Sequence, residues 1–289
     1  MDTTALLLVV AAAFIHASWN FLCKKVAAGP IFVWCYSLVT TALYLPVAAW
    51  MLWHAAQSIT TAGWTTLAIS GALHLGYSLV LQRGYQAADL SVVYPVARGT
   101  GPLLSATGAF VLLGEHATPL RIAGMLLTVS GILAIARIDR LRRPGRPGVL
   151  AGVGYGAVTG GFIAAYTLVD AYAVKTLLIA PLLVDYLSGA LRLAMLTPGA
   201  WLHRHALAAL PARTWRYAAA VGALAPLSYI LVLTALQSAP VSVVAPAREM
   251  SMMVAALMGT FLLREGDAAR RLLGAACIVA GTILLVWRG

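Results

Sequence analysis

An all-α integral membrane fold, with ten transmembrane helices built as two inverted five-helix repeats around a central cavity, is the architecture this sequence predicts. Three observations carry that prediction. The chain is 61% hydrophobic and only 10% charged, with a mean hydropathy of +0.88, where a soluble domain carries roughly 25% charged residues. Its apolar runs are continuous over about 20 residues, the length that crosses a bilayer as a helix satisfying its own backbone. A membrane β-barrel would instead need short alternating segments. Finally, the second half of the chain repeats the first.

The spans follow in order. The first apolar run, 4–23, ends at Lys24 and Lys25. It opens Met1-Asp2 with no basic region and runs long, so it is expected to be a span and not a secretory leader. The second covers 31–53 and begins after Gly29-Pro30. The third, 64–82, stops at "QRGYQAAD", and the fourth, 90–113, at "LGEHATP". The fifth covers 119–137 and runs into "RPGRPG". Spans six and seven, 149–170 and 178–202, precede the polar stretch "LHRHALAALPARTWR". Span eight covers 216–236, and the last two, 241–263 and 270–287, are separated by "LREGDAARR". Charge, glycine and proline at each break are the residues that stop helices and favour water.

Basic residues set an orientation. With the N-terminus outside, fourteen of the 20 Lys and Arg fall on inner loops or span ends, among them Lys25, Arg83, Arg140, Arg143, Arg204, Arg216 and Arg271. Only Arg121, Lys175 and Arg288 fall outside, the asymmetry of cytoplasmic loops. The net charge of +11 is therefore read as loop charge, and nucleic acid is not expected as a partner. Cys23, Cys35 and Cys277 lie in or beside apolar runs with no CxxC, so neither a disulfide framework nor a metal site is expected.

The repeat is specific. Arg98 matches Arg248, Glu115 matches Glu265, Gly124 matches Gly274 and Gly131 matches Gly281, each 150 residues on. "LLGE" at 112–115 answers "LLRE" at 262–265. With a one-residue slip, Gln86, Ser91 and Pro95 answer Gln237, Ser242 and Pro246, as Pro30 answers Pro181. The boundary falls in the basic run "RIDRLRRPGRPG", dividing the chain into a unit at 1–138, a linker at 139–148 and a unit at 149–289. Five spans per unit force the second to insert upside down. Inverted repeats of this kind belong to secondary carriers, whose substrate site lies near mid-membrane between the halves.

These residues resemble the drug/metabolite transporter superfamily, and within it the EamA-like carriers. The resemblance rests on "VVYPVARGTGPLLSATGAFVLLGE" followed by "RIAGMLLTVSGILAI", on their second copies "VVAPAREMSMMVAALMGTFLLRE" and "RLLGAACIVAGTILLVW", and on "IHASWNFLCKK" in the first span. It implies a ten-helix carrier whose central cavity is lined by spans one, three, four, six, eight and nine, with five and ten peripheral. It also implies cargo such as amino acids or other small metabolites. Some relatives have cytoplasmic termini, opposite to the charge bias.

Arg98 and Arg248 lead the substrate-binding candidates. Each stands about eight residues, or near 12 Å, into its span. Ionisable groups at such depth face a cavity or a partner, and a guanidinium fork suits carboxylate or phosphate. The competing role is structural, bonding carbonyls freed by Pro95 or Pro246, or pairing with Glu249. Glu249 is the first candidate for coupling, because a buried carboxylate can carry a proton; its counterpart is Gly99. Asp170, near the end of span six, is the second, with an interfacial, solvated position as the alternative. His16, Trp19 and Asn20 are spaced i, i+3, i+4 on one face and read as a polar cavity wall. Tyr77, Tyr94, Tyr155, Tyr166, Ser228 and Tyr229 are further candidates.

Other features read as structural. Asp185 and Arg192 share a face of span seven, which the resemblance keeps away from the cavity, so they are expected to bridge helices. Gly152, Gly156 and Gly160 form a close-packing row. "RGTGP" lacks the lysine of a phosphate loop. Glu115 and Glu265 are expected to cap or anchor loops.

The expected function is a secondary transporter, an exporter or exchanger, of a small polar metabolite such as an amino acid or other anionic or zwitterionic compound. A multidrug or lipophilic-cation exporter is the alternative, using Glu249 with Trp19. A non-transporting scaffold or sensor is the reading from another class. No GxSxG, HExxH or paired intramembrane aspartates point to an enzyme, and no ATP-binding motif points to a pump. No catalytic residue, metal or cofactor is expected. The expected partners are a small-molecule substrate and the bilayer of the inner membrane, with a homodimer as the one protein partner considered.

Overall fold

The computed structural model describes residues 1–26, 30–55, 59–88, 90–135, 149–261 and 268–287. Its helices are α1 (Thr3–Lys25), α2 (Pro30–Ala55), α3 (Thr61–Ala87), α4 (Leu90–Leu112), α5 (Pro119–Ile135), α6 (Val149–Lys175), α7 (Pro181–Leu202), α8 (Arg204–Ala208), α9 (Ala212–Ser238), α10 (Val241–Ala247), α11 (Met250–Phe261) and α12 (Ala268–Val286). No strand occurs among the described residues. The 139–148 linker and Glu265 lie outside them.

Among the described residues, seven helical segments are long and apolar enough to cross a membrane: α1, α2, α3, α6, α9, the α10–α11 run and α12. The apolar helix α5 is shorter, at 17 residues. Helices α4 and α7 are 23 and 22 residues long but fall outside the seven, because Arg98, two prolines, Asp185 and Arg192 dilute their apolar character. Large side chains such as Leu7, Phe14, Trp50, Trp53, Val111 and Leu150 stand exposed on the outside. An apolar exterior of that extent suits lipid and not water. The chain is a multi-pass membrane protein.

The helices pack reciprocally. Helix α1 lies on α9 as α6 lies on α3, α1 meets α11 as α6 meets α4, and α2 meets α9 as α7 meets α3. Helices α5 and α12 form a self-matching antiparallel pair. A Cβ added to Gly124 would come 2.7 Å from the Gly281 carbonyl oxygen, and one on Gly131 would come 2.6 Å from that of Gly274. Since Gly124 answers Gly274 and Gly131 answers Gly281, this contact maps onto itself, the mark of a two-fold axis crossing the pair. Such packing fits two five-helix units inserted in opposite senses. Only glycine allows the backbones so close.

The Gly152, Gly156 and Gly160 row does what its spacing suggests. A Cβ on Gly156 would meet Val96 at 2.7 Å, and one on Gly152 would meet Val92 at 2.9 Å, so α4 and α6 lie side by side.

Span nine departs from the expected single helix over 241–263. It breaks between α10 and α11 at Arg248 and Glu249. Around the break the backbone tightens to i→i+3 bonds, Glu249 N–H to Pro246 O at 3.1 Å and Met252 N–H to Glu249 O at 2.8 Å. Pro246 has no N–H to donate and crowds the preceding turn. Helix α4 stays continuous through Pro95 and Pro102, so the two copies differ here. A short helix, α8, also forms in the stretch read as a loop.

At one end of the bundle the core is filled by Val9, Val174, Leu183, Leu233, Leu236 and Val244, all almost fully buried. Glu115 closes this end as the cap its position suggested. It accepts from the Val241 N–H (2.6 Å), the Ser242 N–H (2.9 Å) and the Ser242 hydroxyl (2.5 Å). These groups begin α10, so a residue of the first half satisfies the orphan donors of a helix in the second.

Candidate functional site

Away from that filled end lies a cavity of about 330 Å³ between the two halves. It runs from mid-bundle, at Arg248 and Tyr229, toward the end where α1 stops and α2 starts, at Asn20, Val33 and Tyr85. His16, Trp19, Asn20, Tyr77, Tyr94, Arg98, Tyr166, Tyr229 and Arg248 all line it, as does Ser228. Tyr155 does not; it packs against Gly84.

At its centre is a buried ion cluster. Arg98 Nη1 donates to Glu249 Oε1 and Oε2 at 3.1 and 3.4 Å, across the interface between halves. Its Nε donates to the Tyr94 hydroxyl at 3.3 Å, one helical turn back, and its Nη2 meets His16 Nε2 at 2.6 Å. A guanidinium can only donate, so this His16 nitrogen is an unprotonated acceptor. Glu249 is wholly buried and does not reach the lining. Its other neighbour is Arg248, with Nε 3.5 Å from Oε1.

The two arginines are thus not equivalent. Arg98 is held on every side. Arg248, with its side chain 10% exposed, lines the cavity, and its Nε and Nη2 have no hydrogen-bond partner among the described residues. Leaving buried charged donors unmade is expensive, so they are suited to a group that arrives. The break after Pro246 positions this fork at mid-bundle.

The wall expected on α1 is present. His16 and Trp19 meet edge to face with ring centroids 4.8 Å apart. Trp19 Nε1 donates to Ser228 Oγ at 3.3 Å, joining α1 to α9. Asn20 Nδ2 donates to the His16 carbonyl at 2.7 Å.

Asp170 is not interfacial. It is fully buried, because α6 continues past the expected end at 170 to Lys175. Its carboxylate accepts from the Ser70 hydroxyl, from His74 Nε2 at 2.9 Å and from the Tyr229 hydroxyl at 2.6 Å. His74 stacks on Tyr166 with centroids 4.0 Å apart.

Asp185 and Arg192 are not kept away from the cavity as the resemblance implied. Both line the cavity, no ion pair joins them among the described residues, and Arg192 stands 5.9 Å over the Tyr36 ring with its Nε unpartnered. Helix α7 packs on α2 and α3, which turns this face inward. The sequence reading also missed His74, Gln82, Tyr85, Tyr36 and Thr40. A signal existed: Ser70, His74, Tyr77, Ser78 and Tyr85 recur at three, four and seven residues along α3, one polar stripe. No group of three or more His, Cys, Asp or Glu able to hold a metal occurs among the described residues.

A membrane-embedded bundle with paired halves and a polar chamber between them is the form of a membrane transporter. The family model of the EamA-like transporter family matches residues 3–137 and again 150–287, and the chain belongs to that family, within the drug/metabolite transporter superfamily. A solved structure titled only as the crystal structure of a protein is similar over 99% of this chain and 97% of its own, with a TM-score of 0.74 and 14% identity. That likeness speaks for the fold alone. No curated protein matches the chain.

Proposed function

We propose that the chain is a secondary carrier of ten spanning helices, exporting or exchanging a small anionic or zwitterionic metabolite, such as an amino acid, across the inner membrane by alternating access. One observation carries the substrate class: Arg248 lines the cavity with two buried guanidinium nitrogens that make no hydrogen bond, Nη2 and an Nε whose nearest acid is Glu249 at 3.5 Å. A carboxylate would take both in a bidentate pair. Arg98 serves as the frame, holding Glu249 and His16. Tyr77, Tyr94, Tyr166 and Tyr229 supply apolar faces with polar tips. Flux of radiolabelled L-amino acids into proteoliposomes tests the reading. Arg248→Ala should abolish the flux that the unaltered protein supports, and undiminished flux would refute the carboxylate site.

A second reading, export of a lipophilic cation, is favoured by a different observation. Asp185 places an acid in a chamber rich in tyrosine. Glu249, the acid first considered for that role, is occupied by Arg98. Flux of a quaternary ammonium dye that survives Arg248→Ala and stops in Asp185→Asn would select this reading.

A further inference from the structure

The buried carboxylate of Asp170 has no part in holding a substrate, yet it sits one side chain away from the cavity. Both oxygens are engaged: Ser70 on one, His74 and Tyr229 on the other. Of these donors, only His74 carries a second ring nitrogen that can take up a proton. It is 15% exposed and lines the cavity, while Asp170 is wholly buried behind it. The carboxylate fixes the Nε2–H tautomer, so Nδ1 is the ring atom left to gain or lose a proton. The groups facing this ring are Asp170 and Tyr166 from α6, Tyr229 from α9 and Asp185 from α7. The cations Arg98 and Arg248 line the same chamber.

We propose that His74 and Asp170 are the proton site of this carrier. The inference rests on the carrier reading. A proton arriving through cavity water binds the Nδ1 lone pair, taking the pair from a net charge of −1 to zero, and leaves to water when the chamber faces the other side. Glu249 is the poorer candidate, since protonating it would strand Arg98 without its counter-charge. The repeat gives one such site per chain: 150 residues earlier, Asp170 is answered by Asn20 and Tyr166 by His16. A carboxamide cannot titrate, and its Nδ2 bonds the His16 carbonyl. Charge also sets the sense of coupling. A proton on His74 favours an anionic group on Arg248, and by reciprocity the anion favours the proton.

Nitrogen-15 NMR of histidine-labelled protein in nanodiscs tests the site without any cargo. The chain has six histidines, and His74→Gln assigns the relevant resonance by its loss. His74 should hold its Nε2 proton throughout while Nδ1 changes protonation state as the pH is varied across the range in which the protein stays folded. Asp170→Asn and the milder Tyr229→Phe should both displace the midpoint of that change. A His74 ring that stays in one protonation state over this range, or that titrates identically in both variants, overturns the proposal. A second arm uses L-amino acids as the probe in proteoliposomes. There the ratio of pH-gradient-driven accumulation to counterflow, measured on the same vesicles, should fall about tenfold in His74→Gln, within the usual range of coupling. An unchanged ratio also overturns it. If the unaltered protein moves no amino acid, the substrate reading fails while the titration still decides the proton site.

Discussion

Removing the Glu115 carboxylate should release the closed end of the bundle. Glu115 follows α4 in the first half and accepts three hydrogen bonds from the first residues of α10 in the second. Hydrogen bonds to a charged group contribute about 1.5–3 kcal/mol each, and they do not add fully. Glu115→Ala leaves the Val241 and Ser242 N–H groups without their acceptor, for a net cost of roughly 2–4 kcal/mol. That cost falls on the conformation with this end closed. At 1.4 kcal/mol per factor of ten, the ratio of closed to open forms should drop by about 25- to 700-fold in Glu115→Ala. Glu115→Gln keeps one acceptor oxygen and should fall between. The assay replaces Cys23, Cys35 and Cys277, introduces Val244→Cys in α10, and follows labelling by a membrane-impermeant maleimide. Val244 is fully buried in the filled end, so its labelling rate reports opening there. A rate within about twofold of the parent, in a variant that still melts cooperatively, would refute the latch, since the predicted shift is far larger.

Three further outcomes follow from the same geometry. Glu249→Gln should cost about 3–5 kcal/mol of stability, because it strands Arg98 in a buried site; thermal unfolding in detergent measures it. The double variant Arg98→Met/Glu249→Met should recover much of that loss, and additive single effects would contradict the pairing. Arg248→Lys keeps the charge but loses the fork, so KM for a carboxylate cargo should rise roughly 10- to 100-fold with a smaller change in Vmax, the cost of about one charged hydrogen bond. Gly131→Ala pushes a methyl group to 2.6 Å from the Gly274 carbonyl oxygen and should destabilise the α5–α12 pair by about 1–3 kcal/mol. Gly154→Ala, with open space at its Cβ, serves as the neutral control.

The helices were legible because lipid demands continuous apolar runs, and the doubling because both copies keep the same arginine, glutamate and glycines in register. The α1 wall was legible for a similar reason: His16, Trp19 and Asn20 fall on one face of a helix whose membrane-spanning part is otherwise largely apolar. What escaped was pairing at a distance. Asp170 looked terminal because the apolar run thins at Asp170, yet α6 continues to Lys175 and the acid is solvated by Ser70, His74 and Tyr229. Asp185 and Arg192 share one face of α7 by their spacing, and that spacing does not say that packing on α2 and α3 turns the face inward. The break at Arg248 was not legible from proline alone, since α4 carries two prolines and stays helical. It coincides with the position where an acid in the second copy, Glu249, answers a glycine in the first, Gly99, and Glu249 is the residue that Arg98 reaches across to hold.

That difference, set beside the two ends of the bundle, shows how equal sequences come to unequal states. Lys175 and Lys25 are counterparts, 150 residues apart. Lys175 donates to the Ala239 carbonyl at 2.8 Å, the C-terminal cap of α9, in the turn whose other side Glu115 grips. Lys25 is exposed, with its ammonium 4.6 Å over the Phe21 ring. The corresponding cap of α3, Ala88, has the same backbone bond to the residue four before it, 3.0 Å against 2.9 Å at Ala239. Helix endings that match in backbone are therefore gripped by lysine at one end of the molecule, while at the other end the lysine turns to its own helix. On the carrier reading proposed above, exchanging those two arrangements would convert the molecule to its opposite-facing form. Each repeat would then carry the contacts of one gate, with the asymmetric centre, Arg98 with Glu249 and Asp170 with His74, common to both.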